Sequence, residues 1–297
     1  MELPSYARPA PELIRERYSC RKFIPSPIPE SKLEELRQFS LSLEAPKGAP
    51  PRFEFFASKQ GDAAELKGLG TYGMIQNPAA FVAVVKGPGT DILGLGWTTE
   101  LLVLKATELG IGSCWLGGTF RHGRFSKAAG LGPGERLAIV IALGLEAEGA
   151  RDGALRRRVR GSTRKAWPEI FFDGAFERPI AGPADLARLS LDPVWAEALE
   201  GLRLSPSASN KQPWALVKTQ EGWELHLRRD KGYYPRLARW LGMVDMQAND
   251  MGIAMVHLAL EARERSLPGE WAIGGAQLDV DCLQPQKVAQ FDYSGKA

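Results

Sequence analysis

Residues 99–118 read TELLVLKATELGIGSCWLGG, and residues 254–275 read AMVHLALEARERSLPGEWAIGG. Laid on each other, they put Leu104 on Leu260, Ala106 on Ala262, Ile111 on Leu267 and Trp115 on Trp271. Each is a long apolar helix, a break containing glycine and then a strand carrying tryptophan, and each ends in Gly-Gly. Self-similarity of this kind changes the domain count, because it makes the chain two diverged copies of one unit. The pattern predicts a first half over residues 1–175 and a second over 176–297, joined in the Pro/Gly-rich stretch 173–183.

The flanks repeat the grammar. In the first half the pattern predicts a helix over 10–17, an extended run SCRKFIPSPIP and a helix over 32–43. The last is opened by a capping box of Ser31 and Glu34. Strands are expected over 53–58 and 79–85, the second a β-branched apolar run between Asn77-Pro78 and Gly87-Pro88. A helix over 94–109 and a strand over 136–145 follow. In the second half a helix over 193–202, strands over 214–219 and 223–229, and a helix over 245–265 are expected.

Composition excludes several classes. The chain has 297 residues, 44% of them hydrophobic, with a formal net charge of +3, too mild for a dedicated nucleic-acid binder. Cys20, Cys114 and Cys282 lie far apart with no C-x-x-C pair, which suits a reducing cytosol. The N-terminal segment has no apolar h-region, so no signal peptide is expected. The longest apolar run, LAIVIAL over 137–143, is far short of the ~20 residues that span a bilayer. His122, His226 and His257 share no ligand-like spacing, so no metal site is expected. The basic arm 151–165, with Arg156, Arg157, Arg158 and Arg160, lacks interleaved aromatics and reads as a solvated surface with one or two residues reaching a phosphate. Gly68-Leu-Gly-Thr-Tyr-Gly fits a dinucleotide fingerprint as a string. It does not follow a strand or open a helix, and reads as a loop.

Three segments carry candidate chemistry. Arg17-Tyr18-Ser19-Cys20-Arg21-Lys22-Phe23 sets two arginines four apart around a hydroxyl, which suits a phosphate through guanidinium forks. Pro206-Ser207-Ala208-Ser209-Asn210-Lys211-Gln212-Pro213-Trp214 favours a turn. Its Ser207, Asn210 and Gln212 side chains offer the donors and acceptors that a flavin polyol and ring edge need. In Gly110-Ile-Gly-Ser-Cys-Trp-Leu-Gly-Gly-Thr, Gly117 and Gly118 would let the backbone approach a flat ligand. Each alone also reads blandly, as a solvated basic loop, an ordinary loop or a tight strand exit. Cys20 and Cys114 fall within these segments, but no sequence-near histidine would activate them, and they read as packing residues.

Taken together the three segments resemble the FMN-dependent nitroreductase family, whose members open with Arg-x-Ser-x-Arg/Lys-x-Phe and carry Pro-Ser-x-x-Asn-x-Gln-Pro-Trp after the next helix. Ordinary members are homodimers with each FMN contacted by both chains. Here the first half keeps only the arginine motif and reads Glu44-Ala-Pro-Lys-Gly-Ala-Pro at the next. The second half keeps only the Pro-Ser motif and opens Phe176-Glu-Arg-Pro-Ile-Ala-Gly. The chain therefore looks like the fused, single-chain subgroup.

The resemblance implies an α+β nitroreductase-like fold, two half-domains each with a mainly antiparallel sheet flanked by helices, packed as an intramolecular pseudo-dimer. It implies FMN held by Arg17, Tyr18, Ser19 and Arg21 at the phosphate, ribityl and pyrimidine side, and by Pro206, Ser207, Asn210 and Gln212 against the ring. Leu116, Gly117 and Gly118 would lie near N5 and O4, with Arg164 and Lys165 at the phosphate. The implied activity is electron transfer from NAD(P)H to a small electron-poor acceptor, nitroaromatic or quinone-like, with no dedicated catalytic acid or base, in a cytoplasmic protein. Neither nucleic acid nor membrane is expected as partner, and a monomer suffices. The alternatives are other chemistry on the same fold (dehydrogenation, dehalogenation, flavin breakdown) or non-enzymatic flavin storage.

Overall fold

The computed structural model describes residues 2–59, 66, 69–152, 162–230, 243–274 and 278–293. At its centre two long helices cross. The first, α3 (Ile92–Glu108), is preceded by α1 (Ala10–Glu16) and α2 (Glu30–Leu41). Its N-terminus is capped by Asp91, whose side chain accepts from the Leu93 N–H at 2.8 Å, satisfying one of the donors a helix start leaves open. The second, α8 (Met246–Glu264), follows α4 (His122–Ala128), α5 (Trp167–Ile170), α6 (Asp185–Arg188) and α7 (Trp195–Arg203). It is capped by Asp245, which accepts from Gln247 N and Ala248 N, both at 3.1 Å. Both long helices are apolar or buried almost all round, as expected of helices inside a core rather than on its surface.

The crossing is made by two glycines. A Cβ on Gly96 would overlap the carbonyl oxygen of Asn249, and a Cβ on Gly252 would overlap that of Leu93. The two contacts are equivalent under the same shift that lays Leu104 on Leu260, so the crossing is a pseudo-two-fold axis.

Around this axis stand two sheets. The first is antiparallel throughout: β1 (Arg52–Ala57), β2 (Ala80–Lys86), β3 (Gly112–Leu116) and β4 (Arg136–Gly144), in the order β1-β2-β4-β3. The second holds β5 (Phe171–Asp173), β6 (Trp214–Lys218), β7 (Gly222–Leu227), β8 (Glu270–Ile273) and β9 (Gln286–Asp292), in the order β5-β6-β7-β9-β8. Without β5 the two orders are the same. The duplication read from the helices extends to the strands.

The continuous apolar run of β2 is explained by burial on both faces. Ala80, Val82 and Val84 join the main core with α3 and α8, while Phe81, Ala83 and Val85 face a second cluster containing Phe23, Phe120 and Phe125. β5 crosses over: it pairs parallel to β6, Phe171 opposite Leu216, and so belongs to the second sheet.

The capping box is overturned. Pro29 occupies the cap position of α2, the helix begins at Glu30, and no side chain caps it. Proline's fixed φ already suits a helix entrance, which puts Ser31 inside the first turn. Gly68 and Arg156, Arg157, Arg158 and Arg160 lie outside the described residues. No helix among the described residues is long and apolar enough to cross a membrane. No cluster of three His, Cys, Asp or Glu among them is placed to hold a metal.

Candidate functional site

Beside the helix crossing lies a cleft of about 450 Å³ with walls from both halves. Its first wall is the segment after α1. Ser19 bridges Ser113 in parallel, and Cys20 N donates to the Ser113 carbonyl at 2.8 Å, so this segment is pinned to β3 at an isolated bridge. Cys20 is completely buried, and Arg17, Tyr18, Ser19 and Arg21 line the cleft. Arg151 stacks on the Tyr18 ring, 4.2 Å from its centroid. Arg17 is only 7% exposed, and burial pulls its pKa below the usual arginine value against the opposing pull of Glu100. Cys114, at the bottom of this wall, is pushed up to about 11 by burial, which makes it an inert thiol.

The second wall is the exit of β3: Leu116, Gly117, Gly118 and Thr119. What the two glycines admit is sulfur. A Cβ on Gly117 would stand 2.9 Å from Met246 Cε, and one on Gly118 would stand 2.5 Å from Met243 Cε. Both methionines line the cleft, and their unbranched thioethers are adaptable packing surface for a flat occupant.

The third wall is the loop between α7 and β6. Pro206, Ser207, Ala208, Ser209 and Asn210 all line the cleft. Ser209, Asn210 and Gln212 have φ of +49°, +56° and +49°. For non-glycine residues this costs about 1 kcal/mol or more each and persists only where the surroundings over-determine it. Here they do. Ser207 Oγ accepts from Gln212 N at 2.8 Å, Asn210 Nδ2 donates to Thr163 O at 3.1 Å, and Arg164 donates to Asn210 Oδ1 at 3.3 Å and to Leu204 O at 3.0 Å. Lys165 and Gln212 are not among the cleft's lining residues. They bond each other instead, Lys165 N to Gln212 Oε1 at 2.8 Å and Lys165 Nζ to the Gln212 carbonyl at 2.9 Å, fastening the loop to the strand of chain before α5.

The floor is α8. Met246, Asp250 and Ile253 share one face at i, i+4 and i+7 and line the cleft. Asp250 is 1% exposed. Both its carboxyl oxygens accept from Ala208 N, at 3.0 and 3.2 Å, and no cation among the described residues bonds it. Burial therefore holds its carboxyl well above the usual aspartate range. Met74 and Trp115 complete the lining.

Of the residues expected from the sequence, the fold brings Arg17, Tyr18, Ser19, Arg21, Leu116, Gly117, Gly118, Arg164, Pro206, Ser207 and Asn210 to one cavity. Met74, Trp115, Met243, Met246, Asp250 and Ile253 were not anticipated. The i, i+4, i+7 spacing on the expected helix was the available signal for the last three. That helix is buried on every side, so spacing alone did not say which face meets the cleft.

Arginines, strained polar backbone and methionine thioethers around one cavity suit a flat ring carrying an anionic tail. Residues 10–262 match the family model described as "Putative TM nitroreductase". The chain belongs to this family. This nitroreductase family member shares its fold with a Thermotoga maritima protein described as a "putative nitroreductase", at 16% identity and a TM-score of 0.57, over 99% of this chain and 97% of that one. A nitroreductase family protein from Clostridium difficile matches 46% of this chain and 84% of its own at 21% identity and a TM-score of 0.38. A structure described as an oxidoreductase containing FMN matches 50% of this chain and 81% of its own at 19% identity and a TM-score of 0.40. No curated protein matches the chain.

Proposed function

We propose that this nitroreductase family member is an FMN-dependent oxidoreductase with one FMN per chain, held between the two halves. It takes electrons from NAD(P)H and passes them to a small electron-poor acceptor such as a nitroaromatic or a quinone. The observation that carries the reading is the meeting of Arg17, Ser19 and Arg21 from the first half with residues 206–210 of the second on one cavity. Neither half has both sets.

When bound, FMN would supply the hydride chemistry. The chain's own share is electrostatic and steric. Arg17, Arg21 and Arg164 would hold the phosphate and pyrimidine side, since guanidinium forks match anionic oxygens. Ser207 and Asn210, fixed by Gln212, Thr163 and Arg164, would present polar groups to the ring edge. Leu116, Gly117 and Gly118 would lie along the ring with the Met243 and Met246 thioethers. Arg21 would favour the reduced, anionic state of the ring, and donor and acceptor would use the same open face in turn. The mild charge, scattered cysteines and fused halves favour a cytoplasmic protein active as a monomer, with no nucleic-acid or membrane partner.

Reconstitution tests the reading. The protein should purify yellow or take up one equivalent of FMN, then oxidise NAD(P)H in the presence of a quinone or nitroaromatic. A reconstituted sample without flavin absorbance removes the cofactor. A yellow protein without turnover on a broad acceptor panel favours storage.

A further inference from the structure

Behind the cleft wall runs a polar chain that the proposed electron transfer leaves unused. His257, on α8, is fully buried, with Nδ1 3.0 Å from the Gly201 carbonyl and Nε2 3.0 Å from Glu100 Oε1 on α3. Glu100 is also fully buried. Its other oxygen accepts from Trp115 Nε1 at 3.1 Å, and Arg17 Nε lies 3.4 Å from Oε1. Arg17 and Trp115 line the cleft; Glu100 and His257 do not.

Hydrogen-bond chemistry fixes the proton count. A carbonyl oxygen only accepts, so Nδ1 carries a hydrogen. Nε2 and Oε1 then need one more hydrogen between them, either on the ring facing an ionised carboxylate or on the carboxyl facing a neutral ring. Both placements give the same total: with Arg17 the cluster carries one net positive charge. Without that hydrogen Glu100 would cancel Arg17. The neighbouring titratable groups Tyr6 and Cys114 are both pushed up by burial and keep their protons, while Glu261, one helical turn from His257 and raised to about 7 by burial against Arg265 and Arg15, is present in every variant compared. In a dry interior an uncompensated charge acts strongly over several ångströms.

We propose that Glu100 and His257 are positioning residues that share one proton, so that Arg17 presents an uncancelled positive charge to the cleft and stabilises the anionic, reduced form of the bound cofactor. This rests on the FMN reading above. The charge arithmetic makes it testable by redox titration of the FMN-loaded protein. His257→Gln still donates from its amide nitrogen to Glu100 but loses the bond to the Gly201 carbonyl, which its amide oxygen cannot serve; it removes the shared proton and takes the cluster to zero. Its ratio of reduced to oxidised FMN affinity should fall about tenfold, a drop of about 30 mV in the two-electron midpoint potential. Glu100→Gln needs no shared proton and keeps the net charge, and so does the double variant. Both should titrate near the wild-type potential.

A loss of packing would not be repaired by the second substitution. An unchanged potential in His257→Gln, or a double variant as low as the single, overturns the proposal. In the apoprotein the shared proton should give a far-downfield, slowly exchanging proton resonance, lost in either single variant. Its absence from the wild type at every pH also overturns the proposal. If none of the proteins takes up flavin, the FMN reading fails by itself, and the apoprotein resonance still decides whether the proton is there.

Discussion

The two sides of the helix crossing share one plan of strands and helices and differ in how a loop meets the helix. On the open side Asp250 stands under residues 206–210 and holds the Ala208 N–H with its carboxyl, keeping the loop off the helix. Under the shift that lays Leu104 on Leu260, its counterpart is Gly94. There residues 44–50 settle onto α3: a Cβ on Gly94 would lie 2.7 Å from the Lys47 carbonyl oxygen and 3.0 Å from Ala45 Cβ. Lys47 Nζ then reaches across to the carbonyl of Gly274, the counterpart of Gly118, at 3.2 Å, and lies 3.5 Å from Asp91. One side stands its loop off on a carboxyl, and the other staples the loop down with a lysine. A glycine under a loop can thus change how the loop seats while the sheets and helices around it keep their order.

The largest effects should come from the axis that both sides share. Gly96→Ala and Gly252→Ala each drive a methyl into a backbone oxygen, and each should destabilise by about 3 kcal/mol or more. Denaturant unfolding checks this, and a large inequality between the two would mean the crossing is not equally shared.

Next comes a charge reversal at equivalent positions. Lys105 is raised in pKa, Glu108 and Glu35 outweighing the opposing effect of burial, whereas Glu261 is raised to about 7 by burial, against Arg265 and Arg15. A carboxyl raised on folding is costly only when ionised. Stability should therefore fall as pH rises from 4.5 to about 7, by about 3 kcal/mol in all, and level off above. Glu261→Gln should flatten that slope in unfolding curves taken across this range, and an equally steep slope in the variant would remove Glu261 as its source.

Smaller effects separate the two sides directly. Arg17→Ala should weaken FMN binding by about 1.5–3 kcal/mol, the worth of a buried charge-assisted contact. Lys47→Ala, on the closed side, should leave the affinity unchanged. Isothermal titration would show both, and equal losses would contradict a single site. Asp250→Gly copies the closed side onto the open one. Losing the acceptor for Ala208 N–H should cost about 1 kcal/mol and speed hydrogen exchange at that amide, while Asp250→Asn, which still accepts, should do neither.

Much of this was legible in the sequence, for identifiable reasons. Trp115 and Trp271 sit at equivalent points on β3 and β8, and the motif at 206–214 reads as a turn because Ser, Asn and Gln take the positive φ and the bonds that hold the loop. Other features were not legible. A three-residue parallel strand such as 171–173 has no period to read, and its pairing with β6 depends on tertiary closure. The strand at 286–292 alternates weakly among Gln, Lys and Asp. Met243 and Met246 carry no motif, and they matter through the space left at Gly118 and Gly117. Lys165 and Gln212 have the chemistry of ligands, but the fold ties them to each other.

β5 has a further consequence, in the order of synthesis. Phe171 and Phe172 leave the ribosome before Leu216 and Val217, the residues they pair with, and the Gly96 face of α3 is complete long before α8 exists to cover it. Domains often fold in turn as they are made, but this first half emerges with an unpaired strand and an uncovered helix, and both close only when residues 214–264 have followed. The fused chain thus ties completion of its first half to translation of its second.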